Sequence, residues 1–527
     1  MSQIQQAQKR ALPERIEKLD PATGEKIGDY RIASAQEVGE AIARAREAFS
    51  EWSGRTLDDR LAHLSRLREV IRDEGEELAK KISKDTGKPL VDSLMTELIS
   101  IPLFISHYEK TAHQILKRRK VKTPMIFAGA KSYVEYFPMG VIGIISPWNF
   151  PFQLSMIPVI SALIGGNTVV LKPSEVTPIT GEVVADLFSK IEIPEGVVEV
   201  VQGDGSTGAA LVGGDIDKVF FTGSVPTGRK VMEAAASHPI PVELELGGKD
   251  AMIVCEDANL RRAAKAAVWG GLINCGQVCT SVERVFVVEK IYDRFVETLR
   301  EEIGRVRVGG PDENADMGPL TAPEQIETVE RHIAEAVEAG AEILHGGEAI
   351  DRPGQFHEPT LLAGVTPEMS VYREETFGPV IPVIKVKDAD QGVALANDHV
   401  YGLTGSVWTS DRKKGLALAS RMQSGQVMIN DVLSSVANPA LPFGGVKSSG
   451  FGRYHGEEGL TSFMHKKAIM ANKGRADMEP FWFPYEKKYQ DMLEAFRLLL
   501  SGKLLKVLKP LKRLKKLGSE GADRRKG

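Results

Sequence analysis

The sequence predicts an α/β protein made of two open-sheet α/β domains, a small β ribbon for oligomerisation and a C-terminal basic amphipathic helical tail. Three observations carry that prediction. From Gly140 onward, short apolar runs alternate with helical stretches, the pattern of parallel strands with covering helices. Fifty-one glycines suit many tight strand-to-helix turns. The net charge of −4 hides an asymmetry: residues 485–527 hold 13 Lys/Arg against 5 Asp/Glu, a net of +8, so residues 1–484 carry −12.

A chain of 527 residues, 42% hydrophobic and 26% charged, has the composition of a soluble protein with several large cores rather than a disordered or fibrous one. Met1–Arg15 is Gln-rich and charged with no apolar core, so no secretory leader is expected. No run of 18 apolar residues argues for a spanning helix. Three cysteines make no disulfide framework, which favours a reducing, cytoplasmic setting.

In chain order, Asp20–Glu25 reads as a turn between short strands, and Ser34–Lys84 as helix with Val38, Ala41, Ile42, Ala45 and Phe49 on one face. A further helix is expected over Leu90–Arg118. Lys131–Pro138 alternates apolar and polar residues, as a half-exposed ribbon strand does. Strands follow at Val141–Ser146, Thr168–Lys172, Val197–Gln202 and Lys218–Thr222, with helices at Leu154–Leu163 and Gly181–Ser189. A second series places strands at Ala251–Val254, Arg284–Val288, Val380–Lys387, Thr404–Trp408 and Gln426–Ile429. Its helices are Leu260–Gly271, Ile291–Arg305 and Pro323–Ala339. The economical division is 15–117 with 139–245 as a first domain and 246–430 as a second. Residues 118–138 with 450–475 form the ribbon, and 479–527 the tail.

Within this frame Asn274–Ser281 holds two of the three cysteines. Cys279 has no Cys or His at metal-ligand spacing, so no metal site is expected, and its neighbours are small and polar. On this loop alone it would pass for a buried small apolar residue; a nucleophile also needs a base and an oxyanion site. Cys255 lies in an apolar strand. Glu243 and Glu245 alternate, so they share one side of a strand. Pro147–Pro151 holds one amide, Asn149, in a rigid turn that ends a strand. Gly203–Gly208 matches the dinucleotide fingerprint, but no acidic residue follows at the expected spacing. The turn Phe221–Arg229 comes off a strand and opens a helix, a better place for a phosphate. Lys172 and Glu175 end another strand, where they could both meet a ribose.

Taken together and in order, PWNFP, LKPSE, FTGSVPTG, ELGGKD, GQVCTS, EETFGPV and PFGGVKSSGFGRYHG resemble the aldehyde dehydrogenase superfamily from about Pro21 to about Lys467. The resemblance implies that Cys279 attacks an aldehyde carbonyl, with Asn149 and the Cys279 N–H holding the oxyanion. A hydride then passes to a nicotinamide, and Glu245 activates the water that hydrolyses the thioester. The Glu at 245 favours release of the free acid over acyl transfer to coenzyme A, and Glu243 is read as structural. Cofactor contacts are implied for Trp148, Lys172, Glu175, Gly205, Phe221, Gly223, Ser224, Glu375 and Phe377. The carboxylate of Glu175 should repel a 2′-phosphate, so NAD is favoured, with NADP possible.

The implied pocket residues are Phe150, Leu154, Ile157, Val278, Thr280 and Phe443. That apolar set, with no Arg, points to a medium- or long-chain or aromatic aldehyde. The alternatives are a semialdehyde dehydrogenase, or a membrane-associated interaction protein on the same fold. The chain departs from many members in Ser462–Lys467, which has no second acidic residue after Phe463; His465 beside two lysines reads as a surface residue. Cys275 is a spectator or at most a redox guard. A homodimer or homotetramer is implied through the ribbon. In the tail, Leu504, Leu505, Leu508, Leu511 and Leu514 form an apolar face opposite lysines, with Pro510 expected to kink it. Such a helix suits the inner, anionic face of a membrane. Without aromatics after Phe496, no nucleic-acid partner is expected.

Overall fold

The computed structural model describes residues 15–127, 129–475 and 478–523. Residues 1–14 of the segment read for a leader and the last four residues of the tail lie outside the described residues. The chain divides into two units, one containing Pro138–Met464 with the chain up to Ile115, the other Leu116–Phe137 with the chain from His465. The boundary expected near residue 246 is therefore a boundary between sheets within one unit.

The first sheet runs Gly450–Phe451, Val242–Glu245, Lys218–Thr222, Val141–Ile145, Thr168–Lys172, Val198–Val200. All neighbours are parallel except Gly450–Phe451, which is antiparallel to Val242–Glu245. Val141–Ile145, Thr168–Lys172 and Asp250–Val254 are buried on both faces, which is why they read as unbroken apolar runs. Strand order reverses beside Val141–Ile145, whose neighbours Thr168–Lys172 and Lys218–Thr222 lead away in opposite directions. That switch opens a crevice at the carboxyl ends of Val141–Ile145 and Lys218–Thr222. The second sheet runs Glu342–His345, Thr360–Ala363, Val380–Val386, Val282–Val288, Asp250–Val254, Gly405–Trp408, Met428–Ile429. Its first two strands, an antiparallel pair, were not foreseen.

Local signals fix the helices that frame the crevice. Ser34 caps Ala35–Gly54 in a reciprocal box with Glu37. Gly87 ends Leu57–Thr86 at φ +79°, a conformation that costs glycine nothing. The helix expected over Leu90–Arg118 is broken differently: Leu90–Asp92, a π-helical turn Ser93–Leu98, then Ser100–Leu116. The extra residue in the π turn sets Glu97 inward, where it meets Lys88 at 2.7 Å with both side chains fully buried. Among the described residues, Leu90–Leu116 is the one helical run long and apolar enough to cross a bilayer; here its inner face, including Phe104, Ile105 and Tyr108, is packed in the core.

The ribbon is narrower than expected. Arg119–Val121, Ala130–Pro138 and Met464–Asn472 make a three-stranded sheet, but Gly450–Phe451 belongs to the first sheet, opposite Glu245 and Leu244. A Cβ at Gly450 would lie 2.0 Å from the Leu244 carbonyl oxygen, so glycine is what lets this segment dock there. In the tail, Tyr489–Leu500 and Leu504–Asp523 form a hairpin, and the second helix runs through Pro510 without a break. Its buried row is Val507, Leu511 and Leu514 against Ala495, while Leu504 and Leu505 face outward. The single apolar face read from the sequence is thus divided, because the neighbouring helix takes only one row of it.

Candidate active site

The helix Leu260–Leu272 ends in the 3-10 turn Ile273–Gly276, where Asn274, Cys275 and Gly276 have φ of 52°, 57° and 71°. Left-handed geometry at two non-glycine residues is strained, on the order of 1 kcal/mol or more each, and hydrogen bonds hold it. Asn274 Nδ2 donates to Asn149 O (2.8 Å) and Gln277 O (3.2 Å), Gln277 Nε2 donates to Asn274 O (2.8 Å), and Thr321 N–H donates to Gln277 Oε1 (2.8 Å). Asn149 Nδ2 in turn donates to Gln277 O at 3.0 Å, which ties the Pro147–Pro151 turn to the cysteine loop. The opposite wall is Gly248, where a Cβ would lie 2.1 Å from the Cys279 carbonyl oxygen.

Cys279 stands where two cavities share a wall. One, of about 160 Å³, is lined by Phe150, Leu154, Val278, Thr280 and Phe443 together with Met95, Ile99, Leu103, Trp269, Ile273, Val436 and Tyr454. The other, of about 290 Å³, is lined by Trp148, Asn149, Thr222, Gly223, Ser224, Glu245, Glu375 and Phe377. The first is apolar with no Arg or Lys on its wall. The second lies at the strand switch of the first sheet, at the start of the helix Val225–Ala235 that Ser224 caps.

Three carboxylates near this junction differ by their partners. Glu243 is held by Lys218, whose Nζ donates to it at 2.6 Å and to Ser462 O at 2.7 Å. Glu245 is buried, and neither of its oxygens has a hydrogen-bond partner among the described residues. Burial, and then the charge of Glu243, hold its carboxyl well above the usual range. Glu375 accepts from Gly248 N–H at 2.9 Å and is pushed up to about 8 by burial and by Glu283. Burial also pushes the Cys279 thiol up, helped by Glu375, Asp250 and Glu245, so the resting thiol is protonated. Glu283 pairs with Lys249 and accepts from the N–H groups of Thr376 (2.8 Å) and Phe377 (3.0 Å). That clamp holds Phe377 at φ 52°, edge-on to Trp148 at 5.4 Å.

Five sequence-predicted residues fall away from these cavities. Ile157 is inside a helix buried on all sides, so it backs the wall rather than lining it. Phe221 is buried in the sheet's core beneath Gly223, where a Cβ would lie 2.6 Å from its ring. Gly205 opens a helix whose cap is Asp204, a carboxylate that accepts the Ser206 N–H at 2.8 Å and would repel an anion there. Lys172 forms an ion pair with Glu175 at 2.7 Å, so those two stay together, beyond the residues that line either cavity. Cys275 and Cys255 are buried, and His465 is exposed in its strand. Met95, Ile99, Leu103 and Trp269 went unforeseen; the one hint in the sequence is a run of apolar residues that a regular helix would leave half exposed.

The family model described as the aldehyde dehydrogenase family matches residues 7–469. A curated relative, a 4,4'-diapolycopene aldehyde oxidase of Methylomonas sp, is 40% identical over 489 residues, covering 93% of this chain and 92% of the relative. A Mycobacterium tuberculosis aldehyde dehydrogenase complexed with NAD+ superposes with a TM-score of 0.84 at 34% identity, covering 88% of this chain and 96% of the other. An NAD-dependent aldehyde dehydrogenase from Sinorhizobium meliloti gives a TM-score of 0.84 at 37% identity, covering 89% and 93%.

Proposed function

We propose the following reaction for this chain, which belongs to the aldehyde dehydrogenase family: oxidation of a long, apolar aldehyde to its carboxylic acid with NAD. One observation carries the mechanism. A buried carboxylate with no hydrogen-bond partner among the described residues, Glu245, shares a cavity with Cys279, and Cys279 also borders an apolar cavity.

In this reading Cys279 first gives its thiol proton to Glu245, which passes it to solvent; Sγ then adds to the aldehyde carbon and the carbonyl electron pair moves to oxygen. Asn149 Nδ2 and the Cys279 N–H hold that oxyanion; Asn149 has a second amide hydrogen beyond the one given to Gln277. Loss of hydride from carbon leaves a thioester on Cys279. Bound NAD supplies the acceptor for that hydride. Glu245 then takes a proton from water, the water attacks the thioester, and the acid leaves as the thiol is restored. A carboxyl with a raised pKa suits this step, since it is a stronger base than an exposed one.

The second cavity fits the cofactor on its own chemistry. Thr222 Oγ1 is buried without a hydrogen-bond partner among the described residues, next to Gly223 and the helix cap Ser224, where a phosphate would find donors. Trp148, Glu375 and Phe377 would hold the nicotinamide end. The NAD+ complex of the Mycobacterium tuberculosis relative supports NAD as the cofactor. The substrate reading rests on the apolar wall and its mouth, where Ile99 is 54% and Leu103 48% exposed. The apolar carotenoid aldehyde named for the Methylomonas relative agrees with it. An arginine-free wall weighs against a semialdehyde carrying a second carboxylate. The exposed strand Met464–Asn472 at the edge of the ribbon sheet supports pairing with another copy, as a dimer or tetramer. A cytoplasmic setting is consistent with three free cysteines.

Glu245→Gln tests the base. With excess apolar aldehyde and NAD, it should release one burst of NADH per active subunit and then turn over more slowly by about 10²–10⁴-fold. Cys279→Ala should give no burst. Steady turnover of Glu245→Gln at the wild-type rate would remove Glu245 from the mechanism.

A further inference from the structure

The C-terminal hairpin carries a surface that the oxidation reaction does not use. Its two helices, Tyr489–Leu500 and Leu504–Asp523, are joined by Ser501, Gly502 and Lys503, with Gly502 at φ +70°. Ala495, Val507, Leu511 and Leu514 close the interior between them. At the bend the apolar residues point outward: Leu499, Leu500, Leu504 and Leu505 are 40, 70, 47 and 78% exposed. Phe496, one turn before, and Trp482, Phe483 and Tyr485 in the segment leading in are exposed as well. Scattered apolar residues need no explanation, but four leucines at one turn form a patch.

Charge identifies what the patch meets. Lys503 at the bend and Lys506, Lys509 and Lys512 along the second helix are all exposed. The acidic residues on the first helix do not offset them, because Arg513 takes both: its Nε donates to Asp491 at 2.7 Å and its Nη2 bonds Glu494. With 13 Lys/Arg against 5 Asp/Glu from 485 to 527, two copies of the hairpin would repel each other. An anionic surface with an apolar interior beneath it complements both features. Leucines enter the acyl boundary, lysines reach headgroup phosphates, and Trp482 and Tyr485 suit the level between.

We propose that the bend Leu499–Leu505 inserts into an anionic lipid surface, with Lys503, Lys506, Lys509 and Lys512 on its headgroups. This replaces the flat amphipathic helix read from the sequence: the row Val507, Leu511 and Leu514 is used within the hairpin, and the tip makes the lipid contact.

Vesicle flotation of the full-length protein tests this, using phosphatidylcholine vesicles with and without phosphatidylserine. The protein should float with the anionic vesicles and stay down with the neutral ones. Leu500→Ser/Leu504→Ser/Leu505→Ser should weaken partitioning by at least about ten-fold. Lys503→Gln/Lys506→Gln/Lys509→Gln/Lys512→Gln should weaken it by roughly five-fold per residue at low salt. Turnover of a water-soluble short aldehyde, unchanged in both variants, shows that they are folded. Absence of flotation, equal flotation on neutral vesicles, or wild-type flotation by the leucine variant would each overturn the proposal. So would a leucine variant that keeps vesicle binding and changes oligomer size, which would make the bend a contact between copies.

Discussion

Lys88→Met removes one charge from a fully buried pair directly beneath the site. Lys88 Nζ donates to Glu97 at 2.7 Å and to the Asn149 carbonyl at 2.9 Å, and lies 4.4 Å from the centre of the Phe150 ring. Methionine matches the length of lysine and supplies no donor. Glu97 is then a buried anion left with the Phe152 and Gln153 N–H groups, at 3.1 and 2.8 Å. Those two bonds moderate the loss without replacing a cation, and breaking a buried pair from one side costs about 3–5 kcal/mol. Against a total stability of about 5–15 kcal/mol, that is a large part. Glu97→Gln added to it removes the stranded charge and keeps an acceptor for both N–H groups, so the double variant should lose only about 1–2 kcal/mol. The Asn149 carbonyl would keep one donor, Asn274 Nδ2 at 2.8 Å. Some drift of the oxyanion amide follows, with kcat lower by about ten- to a hundred-fold. Urea unfolding gives the stabilities, provided the slope is unchanged between variants. A single variant that loses less than about 1 kcal/mol, or a double variant less stable than the single, would refute the reasoning.

Two further predictions concern the reaction. Because Glu245 is held above the ordinary carboxylate range, thioester hydrolysis should rise with pH along a limb displaced above about 4.3, and Glu245→Gln should flatten that limb in single-turnover measurements. Its effect on stability runs the other way. A raised folded pKa favours the neutral carboxyl, so its contribution is complete below the unfolded pKa and is lost as pH rises through the folded one. Glu245→Gln should therefore gain stability relative to wild type with rising pH, read as urea midpoints across the range. At the mouth of the apolar cavity, Ile99→Ser should lower kcat/KM for long apolar aldehydes by about ten-fold and leave short ones nearly unchanged. Equal losses for both chain lengths would place Ile99 outside the substrate path.

How much of this was legible in the sequence depended on how local the cause was. Thr168–Lys172 and Lys218–Thr222 match to the residue, because a buried parallel strand bounded by turns is a continuous apolar run. The same continuity hides orientation, since both faces of such a strand are apolar. The run itself does not say that the Phe221 ring lies in the core, or that Ile157 sits in a helix buried all round; the resemblance alone put both at the site. Glu342–His345 was missed because that edge strand is mostly exposed and carries no such run. The π turn Ser93–Leu98 was missed because it departs from the 3.6-residue period, and with it went the inward Glu97 and the outward Met95 and Ile99.

Glu243 and Glu245 show where a one-dimensional reading stops. They have the same side chain and occupy the same side of one strand, and the resemblance alone separated them in the sequence. In the fold they differ because of neighbours distant in the chain. Lys218, on the adjacent parallel strand, sits where it pairs with Glu243 and leaves Glu245 without a contact from it. Gly444 lies over Glu245, where a Cβ would be 2.7 Å from Oε1, so no side chain there crowds the carboxylate. Glu243, although paired with its lysine, still raises the pKa of Glu245. Burial is the larger cause, and Glu243 adds to a shift that the buried site already imposes on Glu245. Replacing Lys218 should therefore alter the pH limb of hydrolysis through Glu243, although Lys218 lines neither cavity.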